Sequence, residues 1–250
     1  LGKKIIILND NNETDYDDNT QIKINIINNS IQTINKNDIN KKIKNMHSSL
    51  KIKYGSFDEE LPEQMMAVSY LTGNEKVLEI GGNIGRNSCL ISILLDDDKN
   101  LVTLECCEDS AQKLKENRNI NNLSFNIEAA ALSEVPLIQS GWLTKVSETV
   151  EPGWTKINTI TFPELESKYN ITFDTLVLDC EGAFYQILKD RPDCIKNIKT
   201  IIIENDFQIP AEKQYVDNVL ISNGFKSVYQ LPGGYDIFLN NFYEVFVASK

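Results

Sequence analysis

Five carboxylates stand where short apolar runs come to an end. Asp179 and Glu181 close the run in LVLDCEGAF, Glu204 closes TIIIE, Glu79 lies in VLEI and Glu105 ends LVTLE. In open parallel α/β sheets, ligand-binding and catalytic groups collect at the carboxyl ends of strands. Carboxylates on adjacent strand ends can divide the work of transfer to a hydroxyl: one positions the acceptor and another takes its proton. Crowding like charges also raises at least one pKa, which helps a base. Asp179, Glu181 and Glu204 are therefore the candidate catalytic groups, and Gly182 lets the backbone turn sharply after them.

The turn after Glu79 says what else could bind. Its order is Glu79-x-Gly81-Gly82-Asn83-x-Gly85, inside VLEIGGNIGRNSCLISILL. Gly81 and Gly85 permit positive φ and close backbone approach, and Asn87 or Ser88 would cap the following helix. The dinucleotide fingerprint G-x-G-x-x-G seats a pyrophosphate on a helix N-terminus. Here an acid precedes the first glycine and the third glycine is out of place. An acid would repel a pyrophosphate and suit a cationic, amino-bearing ligand such as S-adenosylmethionine, whose product is S-adenosylhomocysteine. Glu105 lies roughly 20 residues beyond the last glycine, where an acid accepts both ribose hydroxyls. The segment Glu128 to Ala130 would bring a third strand end to the adenine edge.

The elements that must hold these groups alternate between apolar runs and helical periodicity. Val77 to Leu95 gives strand, turn and helix, with Leu90, Ile91, Leu94 and Leu95 at helical spacing. Asp109 to Asn119 reads as a helix, LSFNIEAAAL as a strand with its exit, and Phe162 to Tyr169 as a short helix. TFDTLVLD is a buried strand, Ala183 to Lys189 a helix, TIIIEN a strand, and Ala211 to Asn223 a helix closed by Gly224. FKSVYQL and YEVFVAS form a closing antiparallel pair around Pro232-Gly233-Gly234. Upstream, Pro62 suits a first helical turn, with Met65, Met66, Val68 and Leu71 as its buried stripe. Glu60 and Glu63 there read as favouring the helix dipole. Leu132 to Thr155 reads as a long loop whose Trp142 and Trp154 are either an acceptor surface or core plugs. In the first 50 residues, IKINII and SIQTI read as a hairpin about Asn28-Asn29, and Asp38 as the cap of a helix through Met46. His47 is read as solvated or structural.

EIGGNIG with Glu105, then DCEGAFYQIL and IIIEN, resembles the FkbM family of S-adenosylmethionine-dependent methyltransferases. In that family a D-x-G-A-N-x-G turn precedes a D-x-E-G-x-E signature and an acid after the next strand. The likeness covers about residues 55 to 249. It implies a class I methyltransferase fold: an α/β, Rossmann-like, seven-stranded and mostly parallel sheet with helices on both faces, the last strand antiparallel. By resemblance Glu79, Gly81, Asn83, Gly85 and Glu105 inherit cofactor contacts, and Asp179 and Glu181 the active-site role. Gly82, Asn87, Cys106, Glu128, Ala129 and Asp179 complete the expected binding set. Three positions depart from the family pattern: Glu79 replaces aspartate, Gly82 replaces alanine, and Phe184 replaces the last acid of the signature. Phe184 and Tyr185 would then make the pocket wall aromatic, suited to a sugar ring.

The bulk of the sequence narrows the alternatives. The 250 residues carry a net charge of -11 with pI near 4.7, and no basic stripe tracks a phosphate backbone, so nucleic acid is not the expected partner. No run reaches the roughly 20 apolar residues of a bilayer span. Leu1 to Asp10 lacks a signal peptide's apolar region, and the five scattered cysteines suggest a reducing, cytoplasmic setting without zinc. Asp96 to Asp98 reads as a solvated loop; no metal ligand set is assigned, and clustered acids leave a divalent metal undecided. Two parts are expected: an N-terminal extension, 1–53, as lid, homodimer contact or acceptor wall, and a methyltransferase domain, 54–250. The activity expected is O-methylation of a small hydroxylated acceptor, a sugar or sugar nucleotide. The alternatives are an inactive cofactor-binding partner subunit and an RNA-cap ribose methyltransferase.

Overall fold

The computed structural model describes residues 37–235 and 237–249 in full, and within the first 36 residues the backbone of 5–9, 12–16, 20–25 and 30–36. The chain divides into two compact units, 1–49 and 50–250. In the first, Thr20–Asn25 pairs antiparallel with Ser30–Asn35, the hairpin read from the isoleucine alternation. A further hairpin joins Ile5–Asn9 to Asn12–Tyr16. Helix α1, Lys36–Ser49, begins before Asp38, so that residue lies in its first turn rather than at its cap.

The second unit is built on seven strands. These are β1 (Val77–Ile80), β2 (Leu101–Leu104), β3 (Asn126–Glu128), β4 (Thr175–Leu178), β5 (Thr200–Glu204), β6 (Phe225–Gly233) and β7 (Leu239–Ala248), in the spatial order β6-β7-β5-β4-β1-β2-β3. All neighbours are parallel except β7, which runs antiparallel to both β5 and β6. This is the mostly parallel, seven-stranded α/β sheet the sequence led us to expect. The closing hairpin is longer than the alternation suggested, because β6 runs on through Pro232-Gly233 and carries two register shifts.

Period-two alternation sends successive side chains to opposite faces. Leu78 and Ile80 join Val102, Leu104, Leu176, Leu178, Ile201 and Ile203 on one face, packed with Leu165, Leu188, Val216 and Leu220. Those last four belong to α5 (Phe162–Tyr169), α6 (Phe184–Asp190) and α7 (Pro210–Ser222). On the other face lie α2 (Leu61–Tyr70), α3 (Arg86–Leu94) and α4 (Glu108–Ile120). Ser88 of α3 meets Glu79 there. Pro62 falls in the first turn of α2, and a Thr161/Glu164 capping box opens α5.

Two expectations need correction. Neither Asn87 nor Ser88 caps α3: left-handed Gly85 holds that position without a side-chain bond. Instead the Glu60 carboxylate accepts the Asn87 amide from outside the helix, leaving Ser88 to donate to Glu79. The stretch read as a long loop is largely a ribbon, in which Leu137–Ser140 pairs with both Leu143–Val146 and Thr155–Lys156.

Gly81 fixes how β1 meets β4. Its φ is +92°, and a Cβ there would lie 1.6 Å from the Asp179 carbonyl oxygen. Gly141, at the ribbon's turn, has φ +58° with nothing within 4 Å of a built Cβ. Gly81→Ala should therefore cost more than about 3 kcal/mol, from steric overlap added to left-handed strain. Gly141→Ala should cost about 1 kcal/mol, from strain alone. Urea unfolding of the two variants measures the difference; equal losses would show that the β1–β4 contact is not tight.

Candidate active site

The carboxyl ends of β1, β2, β4 and β5 open on a cavity of about 300 Å³, lined by Gly81, Asn83, Glu105, Cys106, Ala130, Asp179, Glu181, Glu204, Trp142 and Tyr243 among others. Gly81 and Gly82 both donate their amides to the Leu104 carbonyl, at 3.0 and 2.9 Å, which ties the glycine turn to the end of β2. From that end Glu105 reaches back. Its carboxylate accepts the Asn83 amide at 2.8 Å and the Cys107 amide at 2.7 Å. Burial raises its pKa, against the pull of these amides. The result is an acid held in one orientation on the cavity wall.

Asp179 faces the cavity but is packed by protein elsewhere. Burial, followed by the charges of Asp206, Glu60 and Glu63, lifts it well above the usual carboxylate range. Glu204 is pushed up to about 11, by burial first, then by a hydrogen bond with Glu63 and the charge of Asp179. One carboxylate oxygen from each of Glu63, Asp179 and Glu204 lies within 4.8 Å of the other two. Glu181 is exposed and sits at φ +52°. Asp206 makes that strained turn tolerable: its carboxylate accepts the Glu181 and Gly182 amides at 2.7 and 2.9 Å. Burial and the Glu181 charge raise Asp206 to about 7.

Seven carboxylates line the cavity: Glu59, Glu60, Glu63, Glu105, Asp179, Glu181 and Glu204. Arg86 is the lining Lys or Arg among the described residues, and it is paired with Glu59 and with Glu60. Low-dielectric walls bearing one sign of charge focus that field on whatever enters, and here the field favours a cation. A second cavity, of about 340 Å³, shares Leu132, Leu137, Thr144, Glu181, Ala183 and Ile187 with the first and adds Tyr185, Gln186 and Arg191. Both volumes suit small molecules.

The structure brings Gly81, Asn83, Glu105, Cys106, Asp179, Glu181 and Glu204 to one cavity. Gly82 and Gly85 shape the turn instead; a Cβ on Gly82 would meet Thr103 Cγ2 at 2.2 Å, and one on Gly85 would meet Leu114 Cγ at 3.1 Å. Glu79 and Asn87 line a small neighbouring cavity with Glu60, Glu63, Asp179 and Glu204. Glu79 is 2 % exposed and accepts Ser88 Oγ at 2.5 Å and Thr103 Oγ1 at 2.8 Å. Glu128 and Ala129 do not line the main cavity. At the end of β3 the Glu128 side chain turns to Lys168 Nζ, at 2.5 Å, and the Tyr169 hydroxyl, at 2.9 Å, so Ala130 is the residue that reaches the site.

Other readings also change. Phe184 is not a pocket wall but a fully buried core residue, while Tyr185 lines the second cavity and packs edge-on against Tyr215. Trp142 is exposed at the ribbon's turn and faces the main cavity, whereas Trp154 stacks under Lys145 Nζ, 4.3 Å from the ring centroid, so neither is a core plug. Glu60 and Glu63, read as dipole partners, are cavity acids, and Asp206 went unremarked. An acid two residues past the end of TIIIE was the available signal for it.

No family model matches the chain, and no curated protein matches it. Among solved structures it is similar to an O-methyltransferase from Bacillus cereus in complex with SAH, at 14% identity over 86% of this chain and 90% of that one, with TM-score 0.44. It is also similar to a ribosomal-protein methylase from Lactobacillus delbrueckii, at 10% identity, 80% and 81% coverage and TM-score 0.48. A tRNA methyltransferase from B. subtilis gives 11% identity, 75% and 65% coverage and TM-score 0.47. At these values the strand order above, rather than the likeness, defines the fold.

Burial lifts Glu79 from its ordinary 4.5 to about 7, against hydrogen bonds from Ser88, Thr103 and Asn87 and with the help of the Glu60 charge. Between those values the folded chain keeps a proton that the unfolded chain has released. The stabilisation is thus fully present below about pH 4.5 and is lost as pH rises through 7. In metal-free buffer, stability should fall across this window, and Glu79→Gln should flatten the fall by roughly 3 kcal/mol at most. Urea midpoints from pH 5 to 8 measure it; parallel slopes for the two proteins would contradict the assignment.

Proposed function

We propose that this chain is an S-adenosylmethionine-dependent O-methyltransferase of the FkbM type, acting on a hydroxyl of a small acceptor, a sugar or sugar nucleotide. The observation that carries the reading is the pairing of two fixed acids on one cavity: Glu105 at the end of β2, pinned by the Asn83 and Cys107 amides, and Asp179 at the end of β4. The residues present fit the group. Glu105 has a held carboxylate for two ribose hydroxyls, Cys106 and Ala130 flank the space beside it, and the acidic lining favours a positive centre. Gly81 lines the same cavity. Bound S-adenosylmethionine would supply an electrophilic methyl on a sulfonium, leaving S-adenosylhomocysteine.

The chain's own part is to align and to manage a proton. Asp179, at the end of β4 on the cavity wall, is placed to accept a proton from an acceptor hydroxyl, and burial with the neighbouring acids raises its affinity for that proton. Glu181 borders both cavities and is placed to hold an acceptor that spans them. Tyr185 gives the second cavity an aromatic wall for the C–H face of a sugar. The acidic mouth opposes a polyanion, which disfavours nucleic acid, and among small acceptors it favours a neutral sugar over a sugar nucleotide.

Calorimetric titration with S-adenosylmethionine and S-adenosylhomocysteine, followed by labelled-methyl transfer to a panel of nucleotide sugars, tests the reading. Glu105→Ala should weaken cofactor binding about tenfold or more, since a charged hydrogen-bond acceptor is lost. Asp179→Asn should bind cofactor while turnover drops by about 10²–10⁴. Absence of affinity for either form of the cofactor in the folded wild-type protein would end this assignment.

A further inference from the structure

We propose that Glu63, Asp179 and Glu204, with the side-chain oxygen of Asn87, form a binding site for one hard divalent cation, magnesium or manganese. Three elements converge on it. Glu63 comes from the first turn of α2, Asp179 follows β4 and Glu204 ends β5. One oxygen from each acid lies within 4.8 Å of the others. Such spacing surrounds a point that small rotamer adjustments bring to metal–oxygen distances of about 2.0–2.6 Å.

An independent observation comes from Asn87. The side chain is 8 % exposed, and its Oδ1 has no hydrogen-bond partner. The amide also bonds Glu79, and toward a carboxylate it can only donate its NH₂, which leaves Oδ1 as the group to be satisfied. Asn87 lines the same small cavity as all three acids, and that cavity measures about 10 Å³, roughly one water-sized sphere. Glu63, equally buried, likewise has Oε2 without a partner. Two unpartnered acceptor oxygens, one on the carboxylate cluster and one on the amide beside it, describe a place for a donor-free cation, not for another hydrogen-bond acceptor.

The protein does not itself supply the counter-charge. Arg86 is taken by Glu59 and Glu60, Lys213 by Asp217 and Glu244, and among the described residues no Lys or Arg pairs with the three acids. An all-oxygen donor set of carboxylates and one amide selects magnesium, manganese or calcium over zinc, and the small volume of the cavity favours the smaller ions. Asp179 and Glu204 also line the main cavity, so a cation here would present its open positions to an acceptor oxygen. That catalytic role rests on the methyltransferase reading; occupancy by the cation does not.

Manganese alone, titrated into the EDTA-stripped full chain and followed by electron paramagnetic resonance, should show one saturable ion per chain. Glu63→Gln and Asn87→Ala should each weaken binding roughly tenfold or more, and manganese should raise the melting temperature of the wild type but not of Glu63→Gln. If Glu63→Gln fails to fold, Glu204→Gln serves the same comparison. Absence of saturable binding, or binding unchanged in every variant, overturns the proposal. Calorimetry with S-adenosylmethionine on the same samples separates the two claims: cofactor binding without manganese binding sinks the cation site alone, and the reverse sinks the methyltransferase reading alone.

Discussion

The site depends on a backbone approach that only a residue without a side chain permits. Gly81 sits so close to the Asp179 carbonyl that any Cβ would overlap it. The Asp179 amide in turn donates to Ile80, at 3.1 Å. With the strand ends drawn together, the turn after β1 can hand its Gly81 and Gly82 amides to Leu104 and its Asn83 amide to Glu105. One contact thus sets both acids. Asp179 is placed by its own backbone against the turn, and Glu105 is oriented by an amide the same turn supplies. A wider gap between β1 and β4 would separate the two carboxylates and leave Glu105 with a single amide partner.

Crowding carboxylates runs against folding, because each is desolvated and repelled by its neighbours. Different acids here are accommodated in different ways. Glu60 has Arg86 and the Asn87 amide, and Asp206 has two amides of the turn it supports. Glu79 has two hydroxyls. Asp179 and Glu204 have mainly each other and Glu63, and burial with these neighbouring charges displaces both pKa values upward. The left-handed backbone at Glu181 and Gly182 lies in the same place. Strain and unfavourable charge concentrated at one edge of a well-packed sheet are the usual mark of a functional site, stabilised by the core beneath it.

Much of this was legible in the chain itself. β2, β4 and β5 are short apolar runs closed by acids, and that pattern pointed to Glu105, Asp179, Glu181 and Glu204, which line one cavity. Local periodicity gave α4 to α7 to within one residue. What local pattern cannot carry is convergence from a distant segment. Glu60 and Glu63 look like ordinary first-turn acids, and only the packing of α2 beside α3 and β5 turns them inward. Glu128 failed for a related reason: the strand end was correct, but Lys168 and Tyr169, 40 residues on, draw its side chain away. The ribbon of Leu137 to Lys156 was missed because its strands are short, and Gly141, Pro152 and Gly153 read as loop punctuation.

Glu79, Gly82 and Phe184, where the chain differs from the pattern it resembles, can be judged by their surroundings. The longer arm of Glu79 reaches Ser88 and Thr103, so the extra methylene is used rather than strained. Gly82 follows from Thr103: with that Cγ2 where a Cβ would fall, alanine has no room. Phe184, expected in the pocket wall, lies instead in the core cluster with Leu178, Leu188 and Phe207. A carboxylate at that position would be buried among hydrocarbon, with a steep desolvation cost. The acidic character of the cavity is supplied instead by Glu63 from α2 and Glu204 from β5. The acids of the cavity thus come from several elements, and its negative field needs no acid at position 184.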